Sequence, residues 1–187
     1  MKTILKSLIL TIAITTVFSC GKDKKEQENI DQKENENTEA VVKDLNKTTT
    51  KSEVIFKDPS VTKVYNQYLN VKAALVNTNS ETVRTEAKNL QNSVPQSEEN
   101  KQLIATANLI SLTKDVKKQR DFFVTLTQEI EKIIGNAEIT SGEVYKQFCP
   151  MAFEGEGGYW LSNSKEVRNP YFGDRMLKCG SVNQTIK

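Results

Sequence analysis

Between Pro59 and Gly135 the apolar positions recur at alternating intervals of three and four. Val61, Val64, Tyr68, Val71 and Leu75 form one row, with Tyr65 beside it. Val83, Ala87, Leu90 and Val94 form a second, and Leu103, Ile104, Ala107 and Ile110 a third. Val116, Phe123, Leu126, Ile130 and Ile133 or Ile134 form a fourth, widened by Phe122. This is the period of a helix that turns one face to a core. The punctuation agrees. Asp58-Pro59 suits a helix start, Ser80 can cap the second helix and Pro95 stops it. Ser97 with Glu98 and Glu99 opens the third, Asp115 the fourth, and Gly135 ends it. Four amphipathic helices with short connections predict a mainly α fold, an up-down bundle. The charged residues fall on its solvated faces, and the chain has no histidine, so the bundle reads as scaffold.

After Gly135 the pattern changes. Six of the eight glycines and the single tryptophan, Trp160, lie beyond it. "EVYKQFCPMAF" is β-prone, "EGEGG" is a turn signal and "YWLSN" a second short strand, so Val144 to Leu161 predicts a hairpin. "SKEVRNPYFGDRMLKCG" mixes turn and helix. Residues 136–187 are therefore expected to form a small hairpin and irregular cap on the bundle.

The N-terminal pattern is different again. Lys2 and Lys6 precede an apolar run from Leu8 to Phe18, followed by Ser19, Cys20 and Gly21. A run of eleven residues falls short of the roughly 20 that span a bilayer, which predicts a signal peptide over 1–19. "VFSCG" resembles a bacterial lipobox, with Cys20 as the lipidated residue. The alternative is an ordinary signal peptide with an incidental cysteine. Residues 20–57 are rich in Lys, Glu, Asn and Gln and bury too little apolar surface to offset chain entropy. They predict a lipid-anchored tether, with Ala40–Val42 and Val54–Phe56 able to touch down on a domain spanning 58–187. Gly21 after Cys20 leans toward the outer membrane and leaves the membrane face open. The net charge of +2 loses Lys2 and Lys6 with the signal, so the mature chain is near neutral. That argues against a nucleic-acid surface.

The candidate chemistry lies in the sulfur. Apart from Met1 and Cys20, the chain keeps its sulfur in two pairs, Cys149/Met151 and Met176/Cys179. Residues two apart share a face of a strand, and residues three apart share a face of a helix. If hairpin and helical turn pack together, two thiolates and two thioethers converge, a donor set that selects soft ions, above all Cu(I). The competing reading is a Cys149–Cys179 disulfide, with Met151 and Met176 as core filler. An exported chain meets oxidising conditions, so both readings stay open. Trp160 is either an aromatic cap on the ion or, with Tyr171 and Phe172, core.

The stretch "FCPMAFEGEGGYWLSNSKEVRNPYFGDRMLKCGSV" resembles the C-terminal signature of a bacterial family of exported lipoproteins whose domain is of unknown function. The likeness spans roughly Pro59 to Val182. Similar domains are appended to periplasmic adaptor subunits of copper and silver efflux pumps. The resemblance implies copper handling, with Cys149, Met151, Met176 and Cys179 as metal positions and metal-efflux components as partners. Some relatives carry a histidine just before Cys-Pro-Met, where this chain has "YKQF". An enzyme is not expected: the chain shows no nucleophile–base pair, and Cys149 and Cys179 lack the Cys-x-x-Cys spacing of a thiol oxidoreductase. The sequence thus points to a Cu(I)-binding envelope lipoprotein or, alternatively, a disulfide-stapled, metal-free domain that docks on an envelope complex.

Overall fold

The computed structural model describes residues 43–187. The signal-peptide and lipidation readings at 1–19 and Cys20, and the Ala40–Val42 contact, lie outside the described residues.

Four helices follow the apolar rows. α1 spans Pro59–Val76, and the Asp58 side chain accepts the Ser60 N–H at 2.7 Å. α2 spans Ser80–Ser93. Its cap is Asn79, which accepts from Thr82 N at 3.0 Å, while the Ser80 hydroxyl turns to the Lys114 carbonyl. α3 spans Lys101–Leu112 and starts later than Ser97 predicts, because residues 97–100 form a turn in which Ser97 Oγ accepts the Asn100 N–H. α4 spans Val116–Gly135 from an Asp115 cap. The helices pack in chain order, and α4 returns to α1.

The expected class, a mainly α bundle with a hairpin cap, is corrected by two antiparallel sheets that hold five strands. The first pairs β1 (Ile55–Phe56) with β2 (Ile139–Ser141). The second has the order β4-β3-β5, from β3 (Val144–Cys149), β4 (Gly158–Ser162) and β5 (Ser181–Ile186). The fold is α+β. The β3–β4 hairpin lies where the turn signals put it, but β1, β2 and β5 leave little trace in the sequence. β1 is two residues long, and β5, "SVNQTI", is almost wholly exposed. β5 is held by ladder hydrogen bonds to β3 rather than by a buried face of its own, and β1 by its ladder to β2 and one buried side chain, Phe56.

Helices and sheet share one core, joined by a run of aromatic rings. Phe56 packs edge-on to Tyr65, Tyr65 stacks on Tyr68, and Tyr68 on Phe123 with centroids 5.2 Å apart. Phe123 and Trp160 each meet Tyr171 edge-on. Such pairs each add about 0.5–1.5 kcal/mol beyond their buried area. The Tyr68 hydroxyl, fully buried, contacts Thr127 Oγ1 of α4 at 2.9 Å and accepts the Leu161 N–H of β4 at 2.9 Å.

The described part of the predicted tether, residues 43–57, lies against the domain. Beyond the expected Val54–Phe56 contact, composition does not reveal this, because the contacts are mainly polar and reach residues far away in the chain. Leu45 N donates to Asn77 Oδ1, Thr49 N to Glu166 Oε1, and Ser52 N to the Asn163 carbonyl. Arg168 donates to the Lys47 carbonyl. Val54 and Phe56 enter the core, at 5% and 2% exposure. A chain that begins at Lys57 loses both and all of β1. Burial of a phenylalanine is worth about 3–5 kcal/mol. That chain should therefore unfold at a clearly lower urea midpoint than one beginning at Lys43, measured by far-ultraviolet circular dichroism.

Under this strap lies Lys72, 4% exposed, its Nζ donating to Asn46 Oδ1 at 3.1 Å. Burial, reinforced by the charges of Lys51 and Arg168 and opposed by Asp44, pushes its amine down to about 7. Between that value and the ordinary 10.5 the unfolded chain holds a proton that the folded chain has released. Stability should therefore rise with pH from about 7 to 10.5. Below about 7 both states hold the proton and the penalty is constant. Lys72→Met should be more stable than the parent at neutral pH, and the difference should shrink as pH rises through that window in denaturant titrations.

Candidate thiol site

β3 carries Cys149 as its last residue, opposite Gly158 of β4. Pro150 follows and cannot continue the ladder. Cys179 arrives from the other side. A 3-10 turn, Gly173–Met176, is followed by Cys179, whose N–H donates to the Met176 carbonyl at 3.0 Å. β5 then begins with Ser181 opposite Phe148. Gly180 makes the crossing possible. It has φ +133°, and a Cβ there would lie 2.7 Å from the Phe148 carbonyl oxygen and 2.8 Å from Trp160 Cη2. No side chain fits.

The two sulfurs lie 2.7 Å apart, beyond the S–S bond length of about 2.05 Å and inside the contact distance of two unbonded sulfurs. Cys149 is fully buried, and Cys179 is half-buried. The Cys179 thiol is raised above its ordinary range, first by its hydrogen bond with Cys149, then by desolvation and by the charge of Cys149; the Met151 backbone N–H opposes the shift. A raised thiol is a poor nucleophile at neutral pH. The pair can close on itself or bridge a soft ion.

The cysteines are brought together, but the methionines are not buried with them. Met151 is 57% exposed and Met176 36%. Both remain chain neighbours of the pair, through the Met151 N–H and the Met176 carbonyl. Trp160 is fully buried core. Its indole N–H donates to Gln147 Oε1 at 2.7 Å, and its ring meets Tyr171 edge-on. Among the described residues no group of three or more His, Cys, Asp and Glu side chains is placed to hold a metal. Two thiols with thioethers nearby fit a soft ion and do not fit Zn²⁺, Ca²⁺ or Mg²⁺.

One organiser of the site, Asn169, lies in the stretch whose sequence mixes turn and helix. Asn169 is fully buried. Its Oδ1 accepts the N–H groups of Tyr171 and Phe172 at 2.8 and 3.2 Å, and its Nδ2 donates to the Cys179 carbonyl at 2.8 Å. Its backbone N–H donates to the Leu177 carbonyl at 2.8 Å. It closes the Asn-Pro-Tyr-Phe-Gly loop and sets Cys179 against Cys149. The available signal was that an Asn before Pro-x-x-Gly forms a side-chain turn.

The fold and the site define a small α+β protein with a thiol pair where a strand and a loop meet. A family described as a protein of unknown function (DUF3347) matches residues 64–142, from α1 to just past β2. The match stops before Cys149. No curated protein and no solved structure matches the chain. No described helix is long and apolar enough to cross a membrane.

Asn169→Ala should leave the Cys179 carbonyl and the Tyr171 N–H without partners, at about 1–3 kcal/mol for each buried group. Lower thermal stability is expected. In a glutathione buffer the variant's Cys149–Cys179 pair should also oxidise less completely than the parent's.

Proposed function

We propose that the reduced Cys149–Cys179 pair binds one soft monovalent ion, Cu(I) foremost, and that the protein handles copper in the cell envelope, held to a membrane by lipid on Cys20. Its role is binding rather than catalysis. The observation that carries this reading is the pair of thiols 2.7 Å apart, half-open at Cys179 and flanked in the chain by the exposed thioethers of Met151 and Met176. Cys149 is fixed in a strand, whereas Cys179 lies in an irregular stretch, so widening the pair to admit an ion falls on Cys179. Either methionine can then add a soft donor from the surface. The resemblance of the Cys-Pro-Met to Met-Leu-Lys-Cys-Gly stretch to domains beside copper and silver efflux adaptors supports the metal and suggests efflux components as partners. The near-neutral mature chain supports no nucleic-acid role.

The same contact favours a second reading. Two free thiols this close, one of them fully buried, oxidise readily to a disulfide that staples β3 to the approach of β5. The protein would then be a metal-free docking domain on an envelope complex.

One experiment separates them. Reduced protein lacking Cys20 is titrated with Cu(I) against a chromophoric competitor. The metal reading expects about one ion per chain, with thiolate-to-metal absorption in the ultraviolet. Met151→Leu and Met176→Leu should each cost less than about 1.5 kcal/mol of stability and still weaken Cu(I) binding. Cys149→Ser should abolish it. The disulfide reading expects no free thiols in the isolated protein and silent methionine variants. It also expects Cys149→Ser to cost about 3–4 kcal/mol through loss of the crosslink. No preference for Cu(I) over a Cys-less control would sink the metal reading.

A further inference from the structure

A large cavity lies beside the thiol pair and shares Met151 and Ala152 with the stretch that follows Cys149. It encloses about 900 Å³ between the α1–α2 turn, the first turns of α4 and the loops after β3 and β4. That size suits a small-molecule ligand. Its apolar lining comes from Val116, Phe153, Tyr171 and Phe172.

Arg120 lines the same cavity and is 6% exposed. Its Nε donates to the Pro170 carbonyl at 2.8 Å, and its Nη2 to the Leu75 carbonyl and Thr78 Oγ1, both at 3.1 Å. All three acceptors are neutral. No carboxylate pairs with it among the described residues, and Nη1 makes no hydrogen bond to the protein there. An arginine cannot shed its proton to escape burial. A buried charge without a partner is costly, so the fold retains a positive group on a cavity wall with the two N–H donors of Nη1 to spare.

The backbone around it is strained. Among the described residues three non-glycine residues have positive φ: Thr78 at 55°, Phe153 at 51° and Glu154 at 58°. All three line this cavity. For a β-branched residue such as Thr78 that conformation is an outlier, and strain of this kind gathers at binding sites. Thr78 spends it on holding Arg120. Gly173, at φ +61°, packs so tightly on both that a Cβ would lie 3.0 Å from Arg120 Nη2. The guanidinium is fixed in place before any ligand arrives.

Six more charged residues ring the opening. Asp121, Glu154, Glu156 and Asp174 oppose Lys117 and Arg175, and none of the six makes a salt bridge among the described residues. All are exposed, so water and salt weaken them, whereas Arg120 acts from the poorly solvated wall.

We propose that this cavity binds a small organic carboxylate, its head on Arg120 and its apolar body between Phe153, Tyr171 and Phe172. The test uses three probes that share one tail: 3-phenylpropanoate, 3-phenylpropan-1-ol and 3-phenylpropan-1-amine. They are titrated into the soluble chain and followed by calorimetry and amide chemical shifts. A charge-assisted hydrogen bond is expected to make the carboxylate bind about tenfold tighter than the alcohol, at one site per chain. Shifts should centre on Thr78, Arg120 and Phe153. Arg120→Gln should erase the preference for the carboxylate. Because Arg120 also ties two loops, Val116→Trp at the cavity mouth supplies a variant that leaves those bonds intact, and it should weaken the carboxylate about tenfold by occlusion. Equal binding of the three probes, tighter binding of the amine, carboxylate binding indifferent to Val116→Trp, or no saturable binding would each overturn the proposal.

Discussion

The fold turns on the hydroxyl of Tyr68. Sheet and helices meet at β4, whose Leu161 N–H points away from β3 and toward α1. In a dry interface that donor would be left unpaired, at a cost of about 1–3 kcal/mol. Tyr68 supplies the acceptor and, through Thr127, binds α4 to the same point. Burial raises the Tyr68 hydroxyl well above the ordinary phenol range, so it stays protonated at physiological pH. Tyr65, one turn earlier, shows the contrast. Its hydroxyl is buried without a partner among the described residues, and its ring alone justifies its place in the aromatic run. Once β4 is seated, β3 lies beside it, and Cys149 takes its position at the end of β3.

Two buried cations answer the same physical problem differently. Among the described residues Lys72 and Arg120 both lack a carboxylate partner and make their hydrogen bonds to neutral oxygens. Lysine can release its proton when desolvated, and the strap over Lys72 is compatible with a neutral amine. Arginine cannot, so Arg120 keeps its charge, and the fold surrounds it with strained backbone and an open cavity. One residue is a burial tolerated for packing, and the other keeps a charge available to a ligand.

The thiol pair depends on several local devices acting together. Pro150 ends the β3 ladder, Gly180 lets the chain cross beneath Trp160, and Asn169 holds the Cys179 carbonyl. They fix a distance between two residues 30 apart in sequence, which gives the pair its chemistry, whether the sulfurs close on each other or on an ion.

The sequence by itself determined the four helices, because a row of apolar side chains at helical period and a capping Asp or Asn are local properties. It also determined the β3–β4 hairpin, through its glycine turn, and it singled out Cys149 and Cys179. Tertiary structure decided the fold class. β1, β2 and β5 are too short or too polar to announce themselves, and they exist as strands because a neighbour offers unpaired backbone groups. It likewise decided that Val54 and Phe56 belong to the core and that the methionines stand at the surface. Of the two readings the sequence left open for Trp160, packing on Tyr171 decided for core. The Arg120 cavity was illegible because its walls come from four separate stretches of chain, and a charge in the α4 pattern looks solvated until the loops close over it.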